Sequence, residues 1–138
     1  MKKKNVLVLL IDDDPAVRSA FQLALEDTCC NVTVAACGER GLATLDGKKI
    51  DLVFLDLKMP GMDGVTCLRR IKEKFSNTPV YIVTAFAEEF VAPLRQAALD
   101  GLEFELVRKP LDRTQIREVT ASLLGDIEGE LLDAKGGQ

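Results

Sequence analysis

The sequence predicts an α/β fold, a doubly wound parallel sheet with helices on both faces, and three observations predict it. Short apolar runs alternate with stretches of helical period along the whole chain. Two of those runs, Val6-Leu7-Val8-Leu9-Leu10-Ile11 and Leu52-Val53-Phe54-Leu55, are continuous rather than alternating, as strands covered on both faces are. Charged residues then collect just past the runs: Asp12, Asp13 and Asp14 after the first, Asp56 after the second, and Lys109 after the last. Open α/β sheets carry their ligand sites at these carboxyl ends.

Taken in order, the strands are expected at Val6–Ile11, Val32–Ala35, Leu52–Leu55, Val80–Val83 and Phe104–Val107. The first helix should start with Asp14 as N-cap and Pro15 in its first position, and turn Val17, Ala20, Phe21 and Ala24 to the core. Further helices are expected from about Gly38 to Leu45 and from about Gly64 to Phe75. The last is marked by a capping box, Asp112 with Gln115, and by an apolar stripe of Ile116, Val119, Leu123 and Ile127. Five β–α units result, joined by right-handed crossovers. The 138 residues suit one domain, expected over 1–125, with 126–138 read as a frayed helix extension or linker in which Ile127, Leu131 and Leu132 keep helical spacing.

Composition removes several classes of function. A hydrophobic content of 47% is that of a globular chain, and the longest apolar run is too short to cross a bilayer. A net charge of −4 and a pI near 4.9 leave Lys2, Lys3 and Lys4 as a solvated start rather than a nucleic-acid arm, and no cleavage site follows them. Cys29, Cys30, Cys37 and Cys67 show no CxxC spacing, so buried thiols in a reducing, cytoplasmic setting are expected. The absence of histidine removes Ser-His and Cys-His nucleophile pairs. Asp12-Asp13-Asp14-Pro15 has neither the glycines nor the hydroxyls of a nucleotide-phosphate cradle. Acids so close together repel, and a hard divalent cation is the natural occupant.

The segments LLIDDDP, DLVFLDLKMPGMDG, VYIVTA and VRKP, in this order, closely resemble the receiver domains of two-component response regulators, over residues from about 5 to 125. The resemblance implies a five-stranded, flavodoxin-like sheet of order 2-1-3-4-5. It implies Asp56 as phosphoacceptor and Asp12, Asp13, Asp56 and the backbone carbonyl of Lys58 as the holders of Mg²⁺, with Mn²⁺ as a substitute. Thr84 and Lys109 would stabilise the phosphoryl group, and Lys109-Pro110 would be a cis peptide. The donor would be a phosphohistidine on a sensor histidine kinase or a phosphotransfer protein, and the output a changed affinity for a downstream protein. No direct binding to nucleic acid or membrane is expected. Such a chain is a signalling protein, catalysing only its own phosphorylation and dephosphorylation, and either a monomer or a weak dimer through the helix 4/strand 5/helix 5 face.

Three departures bear on the output. Where receivers usually carry Tyr or Phe, three residues before the lysine, this chain has Leu106, which makes Leu106 and the nearby Phe104 the two switch candidates. The segment between Thr84 and Gly101 is long, with Pro93 near the start of the fourth helix, and one extra residue before Lys109 suggests a bulge in the last strand. Lys58 and Phe86 stand two residues past Asp56 and Thr84, where water would approach an acyl phosphate. Two other readings compete: a phosphatase of the haloacid dehalogenase type, for which Asp12 and Asp14 give the Asp-x-Asp pattern, and a degenerate receiver acting as an unphosphorylated scaffold.

Overall fold

The computed structural model describes residues 6–85 and 88–122. Five parallel strands, β1 (Val6–Ile11), β2 (Cys30–Ala35), β3 (Leu52–Leu55), β4 (Val80–Thr84) and β5 (Glu105–Arg108), form one sheet in the order β2-β1-β3-β4-β5. Helices α1 (Pro15–Leu25), α2 (Gly38–Gly47), α3 (Gly64–Lys74) and α4 (Val91–Leu99) follow the first four strands, with a 3₁₀ turn at Glu88–Phe90 before α4. A fifth helix, α5, runs over 113–122, the last described residues. The sheet order reverses at β1, so the crevice beyond the carboxyl ends of β1 and β3 is the switch point of the fold.

The continuous apolar strands supply both faces of the sheet, since successive side chains point to opposite sides. Leu9, Ile11, Val53, Leu55 and Ile82 pack with Leu45, Leu68 and Ile71 of α2 and α3 and with Ala97 of α4. Val8, Leu10, Leu52, Phe54 and Val83 pack on the other side with Phe21, Ala24 and Leu25 of α1 and Ile116 of α5. Phe21 and Phe54 meet with ring centroids 5.0 Å apart. Val17 and Ala20 are only partly buried, so α1 is drawn to the sheet chiefly by its second half.

The helix starts follow from local hydrogen bonding. Asp14 Oδ1 accepts the Ala16 N–H at 2.9 Å, with Pro15 in the first turn where its missing N–H costs nothing. Asp63 caps α3 through the Thr66 N–H at 2.9 Å. The Asp112–Gln115 box is reciprocal, the Asp112 N–H donating to Gln115 Oε1 at 2.9 Å and the Gln115 N–H to Asp112 Oδ1 at 2.8 Å.

The last strand departs from expectation. It lies at Glu105–Arg108, one residue later than expected, and its ladder with β4 runs from Tyr81↔Glu105 to Thr84↔Arg108 without interruption. There is therefore no bulge in that ladder, and Phe104 falls before the strand rather than in it. The physical reason is packing: Phe104 is drawn against the cluster on the α2–α4 side, while the edge strand keeps mostly exposed side chains. The second strand begins at Cys30, two residues earlier than expected, because Val6 already pairs with Cys30. Leu123, Ile127 and the whole 126–138 segment lie outside the described residues. Among the described residues no helix is long and apolar enough to cross a membrane.

Candidate functional site

At the carboxyl end of the sheet, residues at or just past the ends of β1, β3, β4 and β5 converge. Asp13, Asp14, Asp56, Lys58, Thr84 and Lys109 line a cleft of about 550 Å³. Carboxylate oxygens of Asp12, Asp13 and Asp56 all lie within 4.8 Å of one another. The sheet brings them together: the Asp12 N–H continues the ladder to the Ala35 carbonyl at 3.0 Å, and the Asp56 N–H reaches the Ile11 carbonyl at 2.9 Å.

The three acids differ in surroundings. Asp12 is wholly buried, with Oδ1 accepting the Asp14 N–H at 2.9 Å and Oδ2 lying 2.9 Å from Lys109 Nζ. Asp56 is 5% exposed and has Oδ1 3.3 Å from the same ammonium. Asp13 is exposed on the cleft wall. Lys109 is thus shared by two buried carboxylates. Its N–H donates to the Thr84 carbonyl at 2.7 Å, which fixes the β5 end beside β4, and Lys109-Pro110 is cis.

The electrostatics follow from this arrangement. Burial and then the Asp12 carboxylate push Asp56 up to about 6, against the opposing pull of Lys109. For Lys109, burial works toward a lower value, but the hydrogen bond and charge of Asp12, with those of Asp56, outweigh it and raise the group above its ordinary range. The site holds three acids against one ammonium, two more than its charge neutralises, and all three donors are hard oxygens. That donor set fits a divalent ion such as Mg²⁺, which takes one or two carboxylates and keeps several waters.

A pH dependence follows, with its sign set by Asp56. Its value in the fold lies above its ordinary 3.8, so without metal this group weakens the fold as pH rises from about 3.8 to about 6, and the penalty is full above that. A bound cation needs the ionised form and offsets the penalty. Mg²⁺ is therefore expected to raise the unfolding temperature at pH 7.5 and to lose this effect below about pH 5, with affinity falling toward tenfold per pH unit below about 6. Thermal unfolding with and without Mg²⁺ across pH 4.5–8 checks it, and a Mg²⁺ effect equal at both ends would contradict it.

Residues 8–121 match the family model of the response regulator receiver domain. The chain belongs to that family. Among curated relatives of this receiver is the transcriptional regulatory protein GlrR of Escherichia coli, 34% identical over 113 residues that make up 82% of this chain and 25% of GlrR. The chain thus spans about a quarter of that relative's length. A CheY-like receiver domain from Methanospirillum hungatei superposes with a TM-score of 0.78 at 24% identity, covering 91% of this chain and 98% of the other, a likeness of fold. A chain of the CheX–CheY–BeF3–Mg complex of Borrelia burgdorferi is 29% identical with a TM-score of 0.74, over 88% of this chain and 90% of that one.

Within the receiver, the structure gathers Asp12, Asp13, Asp56, Thr84 and Lys109 around one cleft that Lys58 also lines. It does not bring Phe104 there, and Leu106 is 51% exposed on the edge strand. Phe86 lies outside the described residues. Asp14, the second acid of the phosphatase-like pattern, is spent on capping α1, and neither that reading nor the degenerate receiver is favoured. One contact escaped sequence reasoning: Arg18 Nη1 donates to the Asp12 main-chain carbonyl at 3.0 Å. An arginine six residues along and on a helix carries no signal in the sequence that it turns back to a strand end.

Proposed function

We propose that Asp56 accepts a phosphoryl group from a phosphohistidine on a histidine kinase or phosphotransfer protein, and that the resulting change alters the affinity for a downstream protein. The observation that carries this is the buried Asp56 carboxylate held beside Lys109 at the floor of an acidic cleft. Asp56 is the nucleophile: one carboxylate oxygen forms a bond to phosphorus as the P–N bond to the imidazole breaks, and the imidazole leaves with its electron pair. With a value of about 6 the carboxylate is mostly ionised at neutral pH. Lys109 is positioned for one phosphoryl oxygen, and Thr84, on the cleft wall, offers a hydroxyl to another. Asp12, Asp13, Asp56 and the Lys58 carbonyl would hold Mg²⁺, and Asp12 also anchors Lys109. The ion would supply charge neutralisation on the transferring group and alignment of donor and acceptor.

The protein is read as a signalling module rather than an enzyme acting on other substrates. The buried cysteines Cys29, Cys30 and Cys67 suit a reducing, cytoplasmic setting. The function is tested by incubation with acetyl phosphate. One phosphoryl group per chain is expected with Mg²⁺ and almost none in excess chelator, and no uptake in Mg²⁺ would overturn the reading.

The response to phosphorylation should not run through β5. Leu106 is already exposed and has no ring to move inward, whereas Phe90, on the 3₁₀ turn six residues past Thr84, is buried and belongs to the core cluster on the α2–α4 side of the sheet. Helix α4 has no side-chain cap and buries only Ala97 fully, so the element beside Phe90 is lightly held. In a beryllofluoride complex the largest amide shift and exchange changes are expected at 88–94. Changes concentrated at 104–107 with 88–94 unaltered would contradict this and restore an aromatic switch through Phe104.

A further inference from the structure

The ladder of β1 runs out at Asp12: its N–H still pairs with Ala35, and the next residue, Asp13, already belongs to the cleft. The Asp12 carbonyl lies past the strand pairing of β1, and Arg18 meets it with Nη1 at 3.0 Å. Arg18 is half-buried and is itself anchored in α1, its N–H donating to the Asp14 carbonyl at 3.1 Å. A charged donor on a partly buried carbonyl makes a stronger bond than a neutral pair, and the planar guanidinium loses little freedom in making it.

We infer that Arg18 is a positioning residue for the cation site, holding the Asp12–Asp13 peptide so that Asp13 faces the cleft; this rests on the reading of that cleft as a Mg²⁺ site. The peptide unit that carries the Asp12 carbonyl also carries the Asp13 N–H, and it is planar, so fixing one end fixes the other. Asp12 cannot shift to compensate, because its side chain is buried and engaged at both oxygens by Asp14 and Lys109. Asp13, in contrast, is exposed, and the direction of its carboxylate depends on the main chain that bears it. Without the guanidinium that peptide can rotate, turning the carbonyl to solvent and the Asp13 carboxylate out of line with Asp56. Groups that orient ligands without touching the metal commonly change affinity by about 10–100-fold when removed.

The test compares Mg²⁺ affinity, from calorimetry or amide shifts at pH 7.5, in the parent and in Arg18→Ala, Arg18→Lys and Ile71→Val. Ile71 is a fully buried α3 residue remote in sequence, and its truncation serves as a control for general loss of stability. Arg18→Ala is expected to weaken Mg²⁺ binding about tenfold. Arg18→Lys should recover part of that loss, since its ammonium still donates, and Ile71→Val should bind as the parent does. Parent-like affinity in Arg18→Ala, or an equal loss in Ile71→Val, would overturn the role of Arg18 alone. A parent that bound no Mg²⁺ would overturn the reading of the cleft together with it.

Discussion

Asp13→Asn is expected to lower Mg²⁺ affinity by on the order of a hundredfold, the larger of the effects reachable by changing one exposed side chain. Among the three clustered acids Asp13 is the only exposed one, and it faces the cleft, whereas Asp12 is committed to Asp14 and Lys109. Replacing its carboxylate by an amide would remove one of the three clustered anionic donors and leave Asp12 and Asp56. The fold should tolerate the change, because an exposed acid contributes little to packing, and removing a like charge relieves Asp56 of one neighbour that raises it. Calorimetric titration together with thermal unfolding checks both halves. Unchanged Mg²⁺ affinity in a folded Asp13→Asn protein would count against the assigned ligand set.

Gly64→Ala is expected to destabilise the fold by about 2–3 kcal/mol, although alanine is the better helix former by about 1 kcal/mol. Gly64 opens α3, and its N–H donates to the Leu57 carbonyl at 2.7 Å, so the helix start lies directly against the chain that leaves β3. A Cβ there would press on the Asp56 carbonyl oxygen and stand 2.6 Å from Leu57 Cα. Both neighbours are backbone, with no side-chain rotamer that could give way. The clash therefore wins over propensity, and its relief would displace the phosphoacceptor itself. Gly47→Ala serves as the contrast: it closes α2, and a Cβ there meets nothing within 4 Å. Urea unfolding is expected to show a loss for Gly64→Ala and almost none for Gly47→Ala, and equal stabilities would contradict this account.

Which features were legible in the sequence follows from how local their causes are. The bounds of β1 and β3 could be read directly, since Val6–Ile11 and Leu52–Leu55 are apolar on both faces and end in acids. The starts of α1 and α5 were equally clear, because Asp14-Pro15 and Asp112 with Gln115 make their hydrogen bonds within a few residues. The strand order came from resemblance to receivers, not from any periodicity. The edge strand β5 lies one residue later than expected because Glu105, Leu106 and Arg108 are exposed and give no burial pattern, while Phe104 packs against the core cluster on the α2–α4 side of the sheet. The 3₁₀ turn at Glu88–Phe90 and the contact of Arg18 with Asp12 depend on tertiary placement, which no local pattern records.

The charge clustering at the cleft was legible, but its division of labour was not. Sequence reasoning treated Asp12 and Asp13 as one acidic pair, and the structure gives them different surroundings, Asp12 buried and paired with Lys109 and Asp13 exposed on the cleft wall, with carboxylate oxygens of both within 4.8 Å of one on Asp56. The same division predicts where phosphoryl uptake should fail. The most direct measurement is the mass and site of the phosphoryl group after incubation with acetyl phosphate and Mg²⁺, in the parent and in Asp56→Asn. The parent is expected to gain one group, mapped to the peptide containing Asp56, and Asp56→Asn to gain none, since a neutral amide is a poor nucleophile and a poor metal ligand. Equal uptake by the two proteins, or a parent label mapped to any other residue, would contradict the assignment of Asp56 as acceptor.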